Sequence, residues 1–267
     1  MAIITVSRGS YSKGREIAEK VADEMGYECV SRDVLLEASE HFNIPEIKLV
    51  RALHDAPAVL ERFTHGKKQY IAYIKSAFLE RVRNDNVVYH GLAGHFFLKG
   101  ITHGLKVRII ADLDDRVRLE MEREGISSEE ARNILKKDDR ERRQWALSLY
   151  GIDTSDPSLY DLVIHVRKIS VNDAVNLICH TAKLPNFGAT PESRQAMEDA
   201  VLGARVESAI VREYPDSEVS AQNGIVVVHT EGPLEQQSQI TKRISAQLQH
   251  VAGVKETRVH VRPTSFV

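Results

Sequence analysis

Ile3-Ile-Thr-Val-Ser-Arg-Gly-Ser-Tyr-Ser-Lys-Gly-Arg-Glu-Ile17 decides how this chain is read. A short run rich in β-branched residues leads into a loop with Gly9 and Gly14, then into a helical pattern in which Ile17, Val21 and Met25 share one face. That order is the order of a phosphate-binding turn. Backbone N–H groups at a helix start converge on an anion, and the helix dipole assists them. Glycines let the backbone approach closely, and a cation after the second glycine reaches the terminal phosphates. The strict motif places Lys-Ser or Lys-Thr there, whereas this chain has Arg15 and Glu16. Arginine keeps the charge and adds a planar fork suited to phosphate oxygens. Glu16 brings a negative charge in place of a hydroxyl for magnesium, and Lys13 stands near enough to compensate. On spacing alone, an ordinary strand-to-helix turn with a solvated basic loop explains the pattern equally well. Its position at the first strand–helix junction, where open sheets bind ligands, favours the phosphate.

The whole-chain arithmetic is bland by comparison. The 267 residues carry 36 Lys+Arg and 38 Asp+Glu, a formal charge of -2, with 42% hydrophobic residues. Such a composition excludes disorder as the main state and argues against nucleic-acid binding through a generally basic surface. No apolar run approaches the ~20 residues of a membrane helix. The opening Met1-Ala-Ile-Ile-Thr-Val-Ser lacks the basic and long apolar regions of a signal peptide. Two cysteines, Cys29 and Cys179, are too few for a disulfide scaffold or a zinc site, so a reduced, cytoplasmic protein is expected.

Outward from the loop, strand patterns at 2–6, 27–30, 86–89, 107–111 and 161–166 alternate with helical patterns that include 15–25, 34–41 and 70–83. Strands separated by helices imply parallel pairing and an α/β sheet covered on both faces. Lys183-Leu-Pro-Asn-Phe-Gly-Ala-Thr-Pro-Glu192 reads as a linker. Beyond it come a helix near 192–212, strands at 218–221 and 225–230 around Asn223-Gly224, a helix at 234–250 and a strand at 257–261. Asn-Gly between two apolar runs is a strong hairpin signal. The second unit is therefore expected to be a small α+β domain with an antiparallel sheet.

The loop's Gly14-Arg-Glu-Ile17 resembles the opening of the cytidylate kinase-like family, a branch of the nucleoside monophosphate kinases. Three later stretches carry the same resemblance. They are Cys29-Val-Ser-Arg-Asp-Val-Leu-Leu36, Asn86-Val-Val-Tyr-His-Gly-Leu-Ala-Gly94, and Asp138-Asp-Arg-Glu-Arg-Arg143 followed by Asp156-Pro-Ser-Leu-Tyr-Asp-Leu-Val-Ile164. The resemblance spans about residues 1–182. It implies a P-loop kinase-like three-layer sandwich with a five-stranded parallel sheet, transferring a phosphoryl group from ATP with Mg2+ to CMP or dCMP. It places Gly9, Ser10, Ser12, Lys13, Gly14, Arg15 and Glu16 in the phosphate loop and Arg116 near the adenine. Asp33 and Gly91 fall on the acceptor side. Arg140 and Arg143 match lid arginines, which with Arg15 form the expected catalytic set. One departure stands out: the chain reads Gly91-Leu92 where the family commonly has Gly-Arg.

The C-terminal unit resembles a BON domain through Ile225-Val-Val-Val-His-Thr-Glu-Gly232 and Val251-Ala-Gly-Val-Lys-Glu-Thr-Arg-Val259. That resemblance implies a binding or regulatory module whose partner is a phospholipid, a small ligand or a protein. The expected organisation is a kinase-like domain at 1–185 and a BON-like domain at 192–267. An alternative is a catalytically weak or inactive nucleotide sensor or adaptor, motivated by Glu16 and Leu92. A nucleotide substrate is expected, nucleic acid is not, and a homo-oligomer is left open.

Single residues carry rival readings. Lys136, Arg140 and Arg143 fall on one face of a helix and suit a polyphosphate, but a solvated helix stitched by pairs such as Asp139 with Arg143 explains them too. Asp112, Asp114 and Asp115 follow an apolar strand, where a helix cap is favoured over a magnesium contact. His90 and His95 have no metal-ligand spacing. Trp145, Leu147 and Leu149 are expected to pack. Lys67, Lys68, Tyr70 and Tyr73 suit either a nucleic-acid surface or an amphipathic helix.

Overall fold

The computed structural model describes residues 2–9, 12–31, 66–91 and 94–263, so the expected helix at 34–41 lies outside the described residues. Strand β1 (Ile3–Arg8) is buried on both faces, as its apolar run requires. Ile4 and Val6 pack with Ile17 and Val21 of α1 (Gly14–Met25) on one side. Ile3 packs with Phe78 and Leu79 of α2 (Gly66–Val82) on the other. Strands β2 (Glu28–Ser31), β3 (Val87–His90), β4 (Gly104–Ala111) and β5 (Leu162–Val166) complete a parallel sheet in the order β2-β3-β1-β4-β5. Three layers result, with the parallel five-stranded core expected from the sequence. The chain leaves β1 toward β2 on one side and crosses from β3 to β4 on the other. The carboxyl end of β1 is thus the point where the strand order reverses and where a ligand crevice forms.

Between β3 and β5 run the short α3 (Gly94–Phe97), then α4 (Leu113–Glu124) and the long α5 (Ser128–Tyr150). A capping box starts α5: the Ser127 side chain accepts from the Glu130 backbone, and the Glu130 side chain accepts from that of Ser127. The far end of α5 is pinned to α2. Trp145 meets Tyr70 edge-on at 6.0 Å, and Leu149 joins Tyr73 and Ile74 in the same apolar cluster. Trp145 and Leu149 therefore pack as expected, while Leu147 is 43% exposed. Because Tyr70 and Tyr73 are buried here, neither offers a face for a stacked base. After β5 comes α6 (Val171–Ala182), which lies against α1.

The smaller sheet contains β6 (Glu218–Gln222), β7 (Ile225–Gly232) and β8 (Glu256–Pro263). Asn223 and Gly224 take φ of 54° and 90°, the left-handed values the hairpin needs. The expectation of a wholly antiparallel sheet is corrected: β6 and β7 are antiparallel, but β7 and β8 run parallel from Ile225↔Glu256 to Gly232↔Pro263. The cause is α8 (Gln237–Leu248), which carries the chain back along the sheet so that β8 starts from the same end as β7. Ile240, Ile244 and Leu248 of that helix cover Val226 and Val228.

One helix serves both cores. On α7 (Pro191–Ile210), Met197, Val201 and Ala204 pack with Phe78 and Val82, while Leu202, Val206 and Ile210 pack on the smaller sheet. Ion pairs follow the first seam: Lys75 with Glu207 at 2.8 Å, Arg83 with Glu198 at 2.5 Å, and Arg205 with Glu80. Met197 is 1% exposed, so Met197→Ala is expected to destabilise the full chain by about 2–5 kcal/mol, seen as a lower urea midpoint. An unchanged midpoint would show that this seam contributes nothing to the first core. Among the described residues no helix is long and apolar enough to cross a membrane.

Candidate active site

The site starts where β1 ends. The Gly9 amide donates to the carbonyl of Ile109 on β4 at 3.4 Å. The buried Ser12 hydroxyl lies 3.0 Å from the carbonyl of Gly9 and 3.3 Å from that of Ile109. These contacts tie both ends of the loop to the sheet. Lys13 then adopts a left-handed conformation (φ 61°, ψ 8°) as the N-cap residue of α1 and gives no side-chain cap. The first turn of α1 stands at the positive end of a 12-residue helix, a place that suits an anion. Gly14 sits directly on Arg8, where a Cβ would lie 2.7 Å from Arg8 Cβ, and a Cβ on Gly9 would lie 3.0 Å from Arg116 Nη1.

Two clefts open beside this loop. The larger, about 660 Å³, lies between α1 (Lys13, Glu16, Lys20), α4 (Asp115, Arg116, Leu119) and the turn around Arg167 and Ser170 after β5. The smaller, about 300 Å³, is lined by Ser7, Arg8 and Gly9 from β1 and its loop, Arg108 from β4, Arg116 from α4, and Asp139, Arg142 and Arg143 from α5. Arg116 and Ala111 line both. The lining of the smaller cleft thus holds five arginines and a single carboxylate, an excess of positive charge that suits a polyphosphate.

Arg116 is the joint between the clefts. It is 7% exposed, and its Nη1 and Nη2 donate to the two carboxylate oxygens of Asp139 at 3.2 and 2.6 Å, linking α4 to α5. The rival reading's pairing of Asp139 with Arg143 gives way to two other partners. Asp139 turns to α4, and Arg143 instead reaches Asp153 at 2.5 Å in the turn beyond α5. The Ser155 backbone N–H and hydroxyl donate to Asp153, and with Arg143 they hold its carboxyl down at about 2.

Beneath the smaller cleft lies a polar shelf. The Tyr160 hydroxyl donates to the carbonyl of Thr154 at 2.9 Å and lies 3.2 Å from Ser7 Oγ. Arg108 Nη1 donates to that hydroxyl at 3.2 Å. The ring of His95 stands 4.9 Å from the ring of Tyr160. Burial, followed by the charges of Arg108 and Lys106, lowers the His95 pKa to about 3, so it is a neutral ring and no proton carrier at neutral pH. Unfolded, it titrates near 6.5. Between these values the unfolded chain takes up a proton that the folded one refuses. Stability is therefore fully present above pH 6.5 and falls as pH drops toward 3. His95→Gln is expected to flatten that part of a plot of urea midpoint against pH; an unchanged slope would assign the effect to other groups.

Of the residues singled out from sequence, the fold brings Gly9, Ser12, Lys13, Gly14, Glu16, Arg116 and Arg143 to the loop and its two clefts. Glu16 points along α1 to Lys20 at 3.1 Å, so its charge is partly met there. Arg15 points the same way, to Glu19 at 2.8 Å, and lines neither cleft. Arg140 is exposed on α5 and lines neither. Gly91 closes β3, its amide donating to the Val6 carbonyl at 3.3 Å. Ser10 and Asp33 lie outside the described residues. Asp112 occupies the N-cap position of α4 without a side-chain cap; its carboxylate takes His165 at 3.0 Å and Arg167 at 3.2 Å instead. Arg108, Arg142 and Tyr160 were missed. For Arg108 a signal existed, since a charge interrupts the apolar run of a strand expected to be buried on both faces.

A five-stranded parallel sheet with a glycine loop after its central strand and a cationic cleft beside that loop has the architecture of the P-loop kinases. Residues 3–168 match the cytidylate kinase-like family, and the chain belongs to that family. Its chemistry is phosphoryl transfer to a nucleotide, with ATP as the donor the family implies. The chain is 28% identical over 179 residues to the cytidylate kinase of Pyrobaculum aerophilum, covering 66% of this chain and 90% of that one. It is 27% identical over 171 residues to the cytidylate kinase of Pyrococcus horikoshii, covering 63% and 81%. An uncharacterized protein from Eubacterium ventriosum shares the fold at a TM-score of 0.53 and 22% identity, over 68% of this chain and 98% of that one.

Proposed function

We propose that the protein transfers the γ-phosphoryl group of ATP to a nucleoside monophosphate, with CMP or dCMP as the acceptor. The observation that carries this reading is the arginine-lined cleft opening directly off the phosphate loop and sharing Arg116 with the larger cleft. An oxygen of the acceptor phosphate forms a new bond to the γ-phosphorus while the bond to the bridging oxygen of ADP breaks. The products are ADP and a nucleoside diphosphate. The attacking oxygen is already anionic, so no general base is required, and the reaction rests on positioning and charge neutralisation. The first-turn amides of α1 and Lys13 hold the donor phosphates, and Arg116, Arg142 and Arg143 surround the group in transfer.

Mg2+ in such a site is held largely by phosphates and water. The residues present fit that role, because Glu16 and Asp115 line the larger cleft where a hydrated cation needs acidic neighbours. When bound there, magnesium would supply neutralisation of phosphate charge. A coupled assay with ATP and each nucleoside monophosphate tests the reading: ADP release should depend on CMP or dCMP, and no turnover with any monophosphate at high enzyme concentration would sink it.

A second reading, a nucleotide sensor, is favoured by Arg15 lying on Glu19 and Arg140 standing apart from both clefts. It predicts ATP binding by calorimetry without turnover. Residues 192–267 are proposed as a BON-like module appended to a kinase body of residues 1–185. The helix–strand–strand–helix–strand order of α7 to β8 supports this, with α7 shared between the two. Sedimentation of the full chain with phospholipid vesicles tests for a lipid as its partner.

A further inference from the structure

Arg108 is the cation in this site that the loop motif and the lid do not explain. It lies on β4 directly beside Ser7 of β1 in the parallel register, between the core residues Val107 and Ile109. Its guanidinium is half-buried, and its polar contacts are to neutral oxygens: Tyr160 Oη at 3.2 Å and Ser7 Oγ at 3.5 Å. The tyrosine ring adds a weak cation–π contact, with the guanidinium carbon 5.5 Å from its centroid. Among the described residues no carboxylate pairs with it, whereas Arg116 holds Asp139 and Arg143 holds Asp153. A guanidinium partly withdrawn from water and offered only neutral acceptors keeps most of its five donors for an anion.

Position specifies which anion. The larger cleft and α1 lie on the sheet face covered by Ile4, Val6 and Ile109. Arg108 and Ser7 project to the other face, the one that carries Ile3, Tyr89 and α2. Donor and acceptor in a phosphoryl transfer approach the moving phosphorus from roughly opposite sides. If the donor nucleotide occupies the larger cleft, the anion facing Arg108 belongs to the acceptor.

We infer that Arg108, steadied on the Tyr160–Ser7 shelf, binds the phosphate of the acceptor nucleotide. This rests on the kinase reading above. Tyr160 acts through Arg108 and is a positioning residue.

The experiment is steady-state kinetics on the full chain with ATP and the preferred monophosphate each varied in turn, on the wild type and on Arg108→Gln, Arg108→Lys and Tyr160→Phe, with circular dichroism as the fold control. Loss of one charge-assisted phosphate contact is expected to raise the acceptor KM about tenfold or more in Arg108→Gln. The ATP KM should stay within about twofold, Arg108→Lys should recover part of the loss, and Tyr160→Phe should give a smaller rise in the same constant. A variant acceptor KM equal to the wild-type value, or a rise confined to the ATP KM, overturns the inference while leaving the kinase reading intact. A wild-type chain that turns over no monophosphate overturns both. Should Arg108→Gln fail to fold, the Arg108→Lys and Tyr160→Phe constants decide by the same criteria.

Discussion

Gly14→Ala is expected to lower kcat/KM by about 100-fold while leaving a folded protein, because a small displacement of the phosphate loop is enough to misplace the reacting groups. The substitution adds one methyl group, and helix propensity alone would favour it at the start of α1. The cost arises from what stands opposite. The new Cβ would lie 2.7 Å from Arg8 Cβ and 2.9 Å from Arg8 Cδ, distances that real structures do not tolerate. Arg8 lines the smaller cleft, and Gly14 opens the helix whose first amides are proposed to hold the donor phosphates. Relief therefore requires either the arginine or the loop to move, and both movements spoil the site. The fold has no comparable stake, since Ile17, Ala18 and Val21 hold α1 to the sheet from deeper positions. Kinetics on the purified variant beside a thermal melt would check this. A melt shifted by many degrees with normal kinetics per folded molecule would mean that Gly14 serves packing rather than catalysis.

The same stretch shows what the sequence carries well. A strand buried on both faces has to read as continuously apolar, and Ile3 to Val6 does; a phosphate turn has to give up side-chain bulk, and Gly9 and Gly14 do. Asn223-Gly224 likewise announces its own hairpin, because positive φ is a local property. What was not legible depended on partners distant in the chain. Asp139 and Arg143 are a helical turn apart, so pairing them is a natural guess, yet the Asp139 carboxylate takes both terminal guanidinium nitrogens of Arg116, 23 positions away. Strand direction in the smaller sheet failed for a related reason. A helix between β7 and β8 returns the chain to the starting end, and that constraint outranks the antiparallel habit of hairpin proteins. α7 lies between these cases. Its apolar residues fall on two stripes, 197-201-204 and 202-206-210, and two stripes on one helix already imply two neighbours. Arg108 was visible as an oddity in an apolar strand, but its use could not be read until Tyr160 and Ser7 were placed beside it.

Arg116→Ala is expected to have the largest effect of any substitution in the site, a fall in kcat on the order of 10³-fold, the lower range for arginines that neutralise a transferring phosphoryl group. Three features converge on this residue. It lines both clefts, so a phosphoryl group passing between them passes beside its guanidinium. It is nearly enclosed at 7% exposure, where a charge acts through a lower effective dielectric than on the surface. It is held in place by a bidentate contact with Asp139, so its orientation is fixed before a ligand arrives. That contact also provides the rival explanation, in which Arg116 merely anchors α5 to α4 and its loss loosens the lid. Asp139→Asn separates the two. It removes most of the anchor but leaves the guanidinium in the cleft, freer to turn toward phosphate. If Arg116 neutralises charge in transfer, Asp139→Asn costs far less in kcat than Arg116→Ala. Arg116→Lys then recovers only part of the rate, because a point charge lacks the fork. If the two variants lose kcat equally, the ion pair rather than the cation is what the reaction needs, and Arg116 serves to fasten α5 to α4.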